Sequence, residues 1–252
     1  MAARRHFLVT AGNTREKIDR VRDWGNIFTG QTGLDIALAM LEAGDVTLLT
    51  SNRQHAASYD GYTAAGGGML GVETFGEIAE LERLLEERLT GGAIDAVFMS
   101  AAVSDYRPDG TFRVVQRQVD PADATREIWT VENVQAGKVK SDHGTIAILG
   151  TATPKLIDMF RTRWHYAGVL VKFKLEVGIS AEQLIAIAQA SRTASGADLI
   201  VANTLEMVQG HTAGATTPGA YIVGTDLCQR IDRAELAPRL RELVVELLAA
   251  RE

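Results

Sequence analysis

The sequence predicts an α/β fold built on a doubly wound, mainly parallel sheet, and three features of the text predict it. Short apolar runs of strand length alternate with amphipathic runs of helical period, the pattern of a parallel sheet with crossover helices. The 252 residues are 46% hydrophobic and 23% charged, the composition of an ordinary globular protein rather than a disordered or fibrous one. No internal repeat or linker divides the chain, so one large domain over residues 1–252 is expected.

Each element follows from local patterning. His6 to Thr10 reads as a first buried strand. Leu34, Leu38 and Leu41 mark one face of a helix that Gly44 ends. Val46 to Thr50 is a second strand, and the glycine run at 66–68 closes a loop that starts at Ala64. Ile78, Leu81, Leu84, Leu85 and Leu89 form a regular helical stripe closed by Gly91 and Gly92, and Ala96 to Ser100 is again a strand. Residues 106–144 break the alternation: they are long, polar and without a clear period. β-forming pieces at Phe112–Val115 and Ile128–Val131 lie within them, so an irregular arm at a symmetric dimer interface is expected.

Order returns at Thr153 and Pro154, which read as a helix cap and first helical residue, with Leu156, Ile157, Phe160 and Trp164 on one face. Val169 to Phe173 is a strand. Ser180 with Gln183 forms a capping box for a helix ending near Gly196. Asp198 to Ala202 is a strand, Tyr221 to Ile231 a hairpin, and Leu236 to Leu248 a closing helix.

Charge and cysteine usage narrow the function classes. With 26 Lys and Arg against 32 Asp and Glu, the net charge of −6 gives no general attraction to nucleic acid or an anionic membrane. Cys228 is the only cysteine, which excludes an intrachain disulfide and a multi-cysteine metal site; its alternating apolar setting predicts a buried structural thiol. The apolar run near the start is too short for a signal peptide, and no stretch approaches the ~20 apolar residues of a membrane span. A cytoplasmic location is expected.

The first loop separates two nucleotide chemistries. A dinucleotide site calls for G-x-G-x-x-G after the first strand, whereas Thr10-Ala-Gly-Asn-Thr-Arg15 has one glycine. The second strand ends Thr50-Ser-Asn-Arg53, without an acidic residue for a ribose. An NAD(P)-type reductase is therefore disfavoured. Gly30 and Gly33 stand at the mouth of the first helix, where they permit either close approach of an anion to backbone amides or close packing of helix on sheet. Asn26 offers an uncharged donor suited to acyl transfer, or is a turn asparagine. The small residues from Ser100 follow a strand at its carboxyl edge and leave room for a flat ring. Asp105 there either accepts from a nucleotide hydroxyl or amine, or caps a turn. Lys138 and Lys140 either close over phosphates or sit on a solvated face.

The order of these motifs carries more than any one of them. Val9-Thr-Ala-Gly-Asn-Thr-Arg-Glu through Arg22, then Asn26-x-x-Thr-Gly-x-x-Gly33, then Ala101-Ala-Val-Ser-Asp-Tyr-Arg-Pro108, then Ala197-Asp-Leu-Ile-Val-Ala-Asn203 resembles the phosphopantothenoylcysteine synthetases over nearly the whole chain. Thr153-Pro-Lys-Leu-Ile157 and Phe173-Lys-Leu175 fit the stand-alone form, which lacks a fused flavin-dependent decarboxylase.

The resemblance implies a Rossmann-like domain, a homodimer, and a ligase for coenzyme A biosynthesis. Its substrates would be 4'-phosphopantothenate, L-cysteine and a nucleoside triphosphate, CTP, with Mg2+ accompanying the nucleotide and no metal site of the protein's own. It implies that Asn26 stabilises the acyl-nucleotide and that Lys138 binds the triphosphate. Met99, Ser100, Ala101, Asp105, Pro154, Lys155, Leu156, Ile157 and Phe173 would line the nucleotide site, and Arg22, Gly30 and Gly33 would serve the acid substrate. The chain departs from the family pattern at Gln31, where a basic residue or histidine is usual, and at Thr204, which replaces an aspartate. Residues 151–153 lack the usual basic approach to the next helix, and only Arg192 marks a stretch where lysines are frequent. These changes leave a divergent nucleotide-binding relative as the alternative reading.

Overall fold

The structure, a computed structural model, describes residues 4–209 and 218–252. Successive side chains of a strand face opposite ways, and in β1 (His6–Ala11) Phe7, Val9 and Ala11 enter one apolar layer while Leu8 enters another. A strand buried on both faces needs helices on both, and the chain supplies them.

After β1 come a small hairpin, β2 (Arg15–Lys17) and β3 (Asp23–Gly25), then α1 (Gln31–Met40), β4 (Asp45–Thr50), α2 (Arg53–Tyr59), β5 (Leu70–Thr74), α3 (Ile78–Gly91) and β6 (Ala96–Met99). The next stretch holds β7 (Tyr106–Asp120), β8 (Asp123–Asn133) and β9 (Ile146–Ala152). It is followed by α4 (Leu156–Thr162), β10 (Val169–Glu176), α5 (Ala181–Ser195), β11 (Leu199–Thr204), α6 (Leu205–Gln209), β12 (Gly219–Val223), β13 (Cys228–Asp232) and α7 (Arg233–Ala249).

The main sheet runs β13-β12-β11-β10-β6-β1-β4-β5. Its pairs from β5 through β11 are parallel, and β12 and β13 add an antiparallel edge. Helices α1 and α7 cover one face, with Leu34, Ile36, Leu240 and Val244 in the layer. On the other face α3 and α4 bring Leu81, Leu85, Leu156 and Phe160 against Leu8 and Leu170. Helix α5 closes the same face over β11 through Leu184 and Ala188. The chain winds outward from β1 to β4 on one side and returns to β6 on the other. The strand order therefore reverses between β1 and β6, and a crevice opens at their carboxyl ends.

A glycine contact seats α1 at that crevice. Gly30, its N-cap, has φ 87°, and a Cβ there would strike the backbone of Gly12, itself at φ 83°. One turn on, a Cβ at Gly33 would lie 2.6 Å from Ala11 Cβ, 2.8 Å from Ser100 Oγ and 2.9 Å from Thr10 O. The helix mouth thus rests directly on the turn after β1 and the end of β6.

Several expectations are corrected. The first helix ends at Met40, before Gly44, which lies in the following turn against Arg5 O. Helix α4 starts at Leu156 with Lys155 as cap, because the Thr153 hydroxyl donates to Ser104 O instead of capping. Cys228 is exposed rather than buried, since it opens the edge strand β13. The segment 106–144 is not irregular: β7 pairs with both β8 and β9 in an antiparallel sheet. Its alternation is hard to read because β8 is exposed throughout. Elements β2, β3, α2 and β5 carry too few apolar residues to announce themselves. The capping box at Ser180 and Gln183, and the left-handed end at Gly196, form as expected.

Lys172 points from β10 into the α5 layer and is 8% exposed. Burial lowers its pKa. Its ammonium donates to Ser191 O (3.1 Å), Ser191 Oγ (3.0 Å) and Ser195 Oγ (3.1 Å), so all three donors are met.

One carboxylate docks the arm on the body. Asp19, in the turn of the β2–β3 hairpin, accepts from the amides of Val21 (2.8 Å) and Arg22 (2.9 Å) and from Arg22 Nη2 (2.6 Å). It also accepts from the amide of Val139 (3.1 Å), which leads from β8 toward β9. Arg22 Nη2 donates to Val139 O at 2.7 Å, Arg20 N to Gly137 O at 3.0 Å, and Gln135 Nε2 to Ile18 O at 2.9 Å. The Arg22 guanidinium and these amides hold the Asp19 carboxyl far below the usual carboxylate range.

Two outcomes follow. Gly33→Ala should lower stability by about 1–3 kcal/mol through overpacking, measured by urea unfolding; a wild-type midpoint would show that α1 can move off the turn. The Asp19 pKa is depressed in the folded chain, so the stabilisation it gives is present above the ordinary aspartate range near about pH 4 and is lost as pH falls below it. Asp19→Asn should imitate the acid form at neutral pH and speed amide hydrogen exchange at 135–140; unchanged exchange there would refute the clamp.

Candidate functional site

The crevice at the reversal of strand order opens into a cavity of about 220 Å³. Gly30, Thr32 and Gly33 at the mouth of α1 form one wall, and Ser100, Ala101 and Ala102 after β6 form the floor. Phe173, Val201 and Leu236 make it largely apolar, while Lys174, Asn203 and Arg233 supply polar groups opposite the helix mouth. Backbone amides in the first turn of α1 have no partner within the helix, and the helix dipole adds to their pull on an anion. The glycines seat the helix on the strand ends, and they leave backbone bare at the cavity wall.

A second, more open recess of about 470 Å³ adjoins it, with Phe28 and Thr29 lining both. Its lining is polar: Asn13, Arg15, Asp23, Asn26, Ser51 and Asn52. Asn13 is 4% exposed. Its Nδ2 donates to the Asn26 carbonyl, its Oδ1 accepts from Arg15 Nε (3.3 Å), and its own amide donates to Ser51 Oγ (2.9 Å). Asn26 Nδ2 donates to Ala102 O at 3.2 Å, which places this side chain at the partition between recess and cavity.

The hairpin that carries Arg15 and Asn26 is fixed from beneath. Glu16 lies between Arg15 and Lys17 but faces inward, and its Oε1 accepts from Ile78 N at 2.8 Å, at the start of α3. Burial raises the Glu16 pKa, partly offset by that hydrogen bond. The far wall is fixed by Asn52, whose Nδ2 donates to Thr29 O at 3.1 Å and lies 3.2 Å from His55 Nε2. His55 Nδ1 lies 3.0 Å from Thr50 Oγ1. Burial lowers the His55 pKa and so favours the neutral ring, which can accept from Asn52.

The residues singled out in the sequence fall into four places. Gly30, Gly33, Ser100, Ala101 and Phe173 line the cavity, and Asn26 lines the recess beside it. Met99 and Leu156 are core residues, buried among Leu8, Leu85 and Phe160. Asp105 and Lys155 pair with each other on the exposed side, next to Pro154, and Ile157 packs against the core below. Arg22 and Lys138 stand at the root of the arm: Arg22 is committed to Asp19 and Val139, and Lys138 is exposed. Neither lines the cavity or the recess. Asn13, Arg15, Ser51, Asn52, Lys174 and Arg233 carry no motif of their own: Asn13, Ser51, Asn52 and Arg233 stand just past strand ends, and Arg15 and Lys174 lie within β2 and β10.

Comparison with known proteins agrees with this architecture. Residues 2–120 match the model of the "DNA/pantothenate metabolism flavoprotein C-terminal domain" family. The chain is 32% identical over 249 residues to the coenzyme A biosynthesis bifunctional protein CoaBC of Thermococcus kodakarensis, covering 97% of this chain and 52% of that protein. It is 26% identical over 254 residues to the CoaBC protein of Mycobacterium bovis, covering 98% and 53%. The chain thus spans about half the length of the curated relatives it matches. The crystal structure of the DNA/pantothenate metabolism flavoprotein from Streptococcus pneumoniae superposes with a TM-score of 0.72 at 25% identity, covering 99% of this chain and all of that one. A Cab2 variant in complex with phosphopantothenate-cysteine shares the fold at a TM-score of 0.58 and 16% identity, covering 98% of this chain and 86% of that one. The doubly wound sheet and the glycine-seated helix at its crevice thus belong to a chain that is similar to these proteins along nearly its whole length, the likeness to the DNA/pantothenate metabolism flavoprotein C-terminal domain running through residues 2–120.

Proposed function

We propose that the chain is an acid–amine ligase joining 4'-phosphopantothenate to L-cysteine at the expense of a nucleoside triphosphate, CTP. The observation that carries this reading is Asn26, a neutral amide on the partition between an apolar cavity and a polar recess. The names of the relatives, which concern coenzyme A biosynthesis, and the ligand of the Cab2 complex support the choice of substrates.

In the first step a phosphopantothenate carboxylate oxygen attacks the nucleotide α-phosphorus. An acyl–phosphate bond forms, and pyrophosphate leaves with the electron pair. In the second step the cysteine amine attacks the acyl carbon. The C–N bond forms, the C–O bond to phosphate breaks, the nucleoside monophosphate leaves, and the amine loses its proton to solvent. Charge grows on the carbonyl oxygen as the amine adds, and Asn26 Nδ2, with one N–H on Ala102 O, has a second to offer it. The amides of Gln31, Thr32 and Gly33 suit the phosphate of the acid substrate. Ser100, Ala101 and Phe173 suit the nucleotide, with Asp105, Lys155 and Ile157 at its outer edge, and Lys138 on the arm root suits the triphosphate. Among the described residues no group of three or more His, Cys, Asp or Glu side chains gathers to hold a metal. A Mg2+ carried by triphosphate oxygens and waters needs no such cage.

The arm exposes Val115, Val119, Ile128, Trp129, Val131 and Leu149. Apolar side chains left exposed on both faces of an antiparallel sheet are suited to burial by a second copy, and we assign them to a homodimer. A weakened relative is the second reading, favoured by Gln31 and by the commitment of Arg22 to Asp19.

Incubation with phosphopantothenate, cysteine and each nucleoside triphosphate in turn, following pyrophosphate and amide, separates these readings. Asn26→Asp and Asn26→Ala should lose about 10²–10³ of amide formation while nucleotide still binds; a wild-type rate in Asn26→Asp would remove Asn26 from the mechanism. Sedimentation at micromolar concentrations should give a dimer, and Trp129→Glu should shift it to monomer; a wild-type protein that stays monomeric overturns the arm assignment.

A further inference from the structure

The polar recess holds a charge that the two-step mechanism leaves unused. Arg15 lines it and is exposed, and among the described residues its guanidinium makes no ion pair. Its one hydrogen bond there runs from Nε to Asn13 Oδ1, at 3.3 Å. Asn13 spends its Nδ2 on the Asn26 carbonyl, so one buried amide side chain ties Arg15 and Asn26 to each other. The other charged group of the recess, Asp23, is held by Lys17 at 2.6 Å. Ser51, Asn52 and Thr29 are neutral, so Arg15 gives the recess an uncompensated positive charge.

We propose that the recess is the binding site of the amino-acid co-substrate and that Arg15 receives its α-carboxylate. This rests on the ligase reading above. The amine and carboxylate of an α-amino acid are bonded to the same carbon, about 2.5 Å apart. The receiver of the carboxylate must therefore stand beside the acyl group that the amine attacks. In that reading Asn26 faces the acyl group, and Arg15 is the cation sharing a recess with it. With Nε bonded to Asn13, the terminal guanidinium nitrogens remain for the carboxylate oxygens, a pairing that a planar fork makes with directional strength. An aminothiol without a carboxylate leaves that cation unanswered and is discriminated against.

The test compares L-cysteine with cysteamine, the same aminothiol lacking the carboxylate, in wild type, Arg15→Gln and Arg15→Lys. Phosphopantothenate and nucleotide are saturating, and both pyrophosphate and amide are measured. Wild type should prefer cysteine in kcat/KM. Arg15→Gln should raise the cysteine KM by about 10–100-fold, leave the nucleotide KM in place and bring the preference close to unity, and Arg15→Lys should recover part of it. Thermal melts confirm that each variant is folded. Active Arg15→Gln with the wild-type preference overturns the assignment of Arg15 alone. A wild-type protein that releases no pyrophosphate with any nucleoside triphosphate overturns the ligase reading and this inference with it.

Discussion

Contact between bare backbones, at Gly12, Gly30 and Gly33, is the constraint on which the rest of this structure depends. A helix normally stands off a sheet by the thickness of its side chains. Here α1 reaches the turn after β1 because no Cβ intervenes, and Ser100 Oγ and Thr10 O fill the contact. That approach brings the partnerless amides of a helix mouth to the carboxyl ends of the two strands flanking the reversal. A side chain at Gly30 or Gly33 would push the helix out and widen the crevice, while one at Gly12 would strike Ser51. The cavity therefore owes its depth to what is missing from the two helix glycines more than to what is present in the others.

Around the crevice the chain uses buried neutral groups where charges would be costly to desolvate. Asn13 holds the β2–β3 hairpin, and Asn52 and His55 hold the loop through Thr29. Asn13 and His55 are buried and Asn52 half-buried, each with its hydrogen bonds met, so neutral groups fix these walls. Of the carboxylates nearby, Asp23 lines the recess but is paired with Lys17, and Glu16 is turned away toward the amide of Ile78.

How much was legible varies with the physics behind each signal. Strongly periodic elements such as the 78–91 helix and the capping box at Ser180 were readable, because burial and capping are local and repetitive. The strand at Leu70–Thr74 was missed because its burial does not alternate, and the arm because β8 hides neither face. Thr153 was misread as a cap because the competing acceptor, Ser104 O, is 49 residues away in sequence. The same limit governs the site. Gly30, Gly33, Ser100 and Ala101 line the cavity and are legible because position past a strand end or at a helix mouth is visible in the text, whereas Phe173 was indicated only by the family resemblance. That Arg22 would serve Asp19, or that Asn13 would join Arg15 to Asn26, depends on where an independent hairpin folds back.

That hairpin is a lever with two loaded ends. Its turn carries Asp19, bonded to the arm through Val139, and its open end carries Arg15 and, just past β3, Asn26. Two short strands separate them, and Glu16 acts as the pivot, pinned to α3 midway along. The contact with the arm and the lining of the recess therefore lie at the two ends of one hairpin a few residues long. In an assembly built on the arm, each subunit would sense the grip of its neighbour at the very residues nearest the partition between its two cavities.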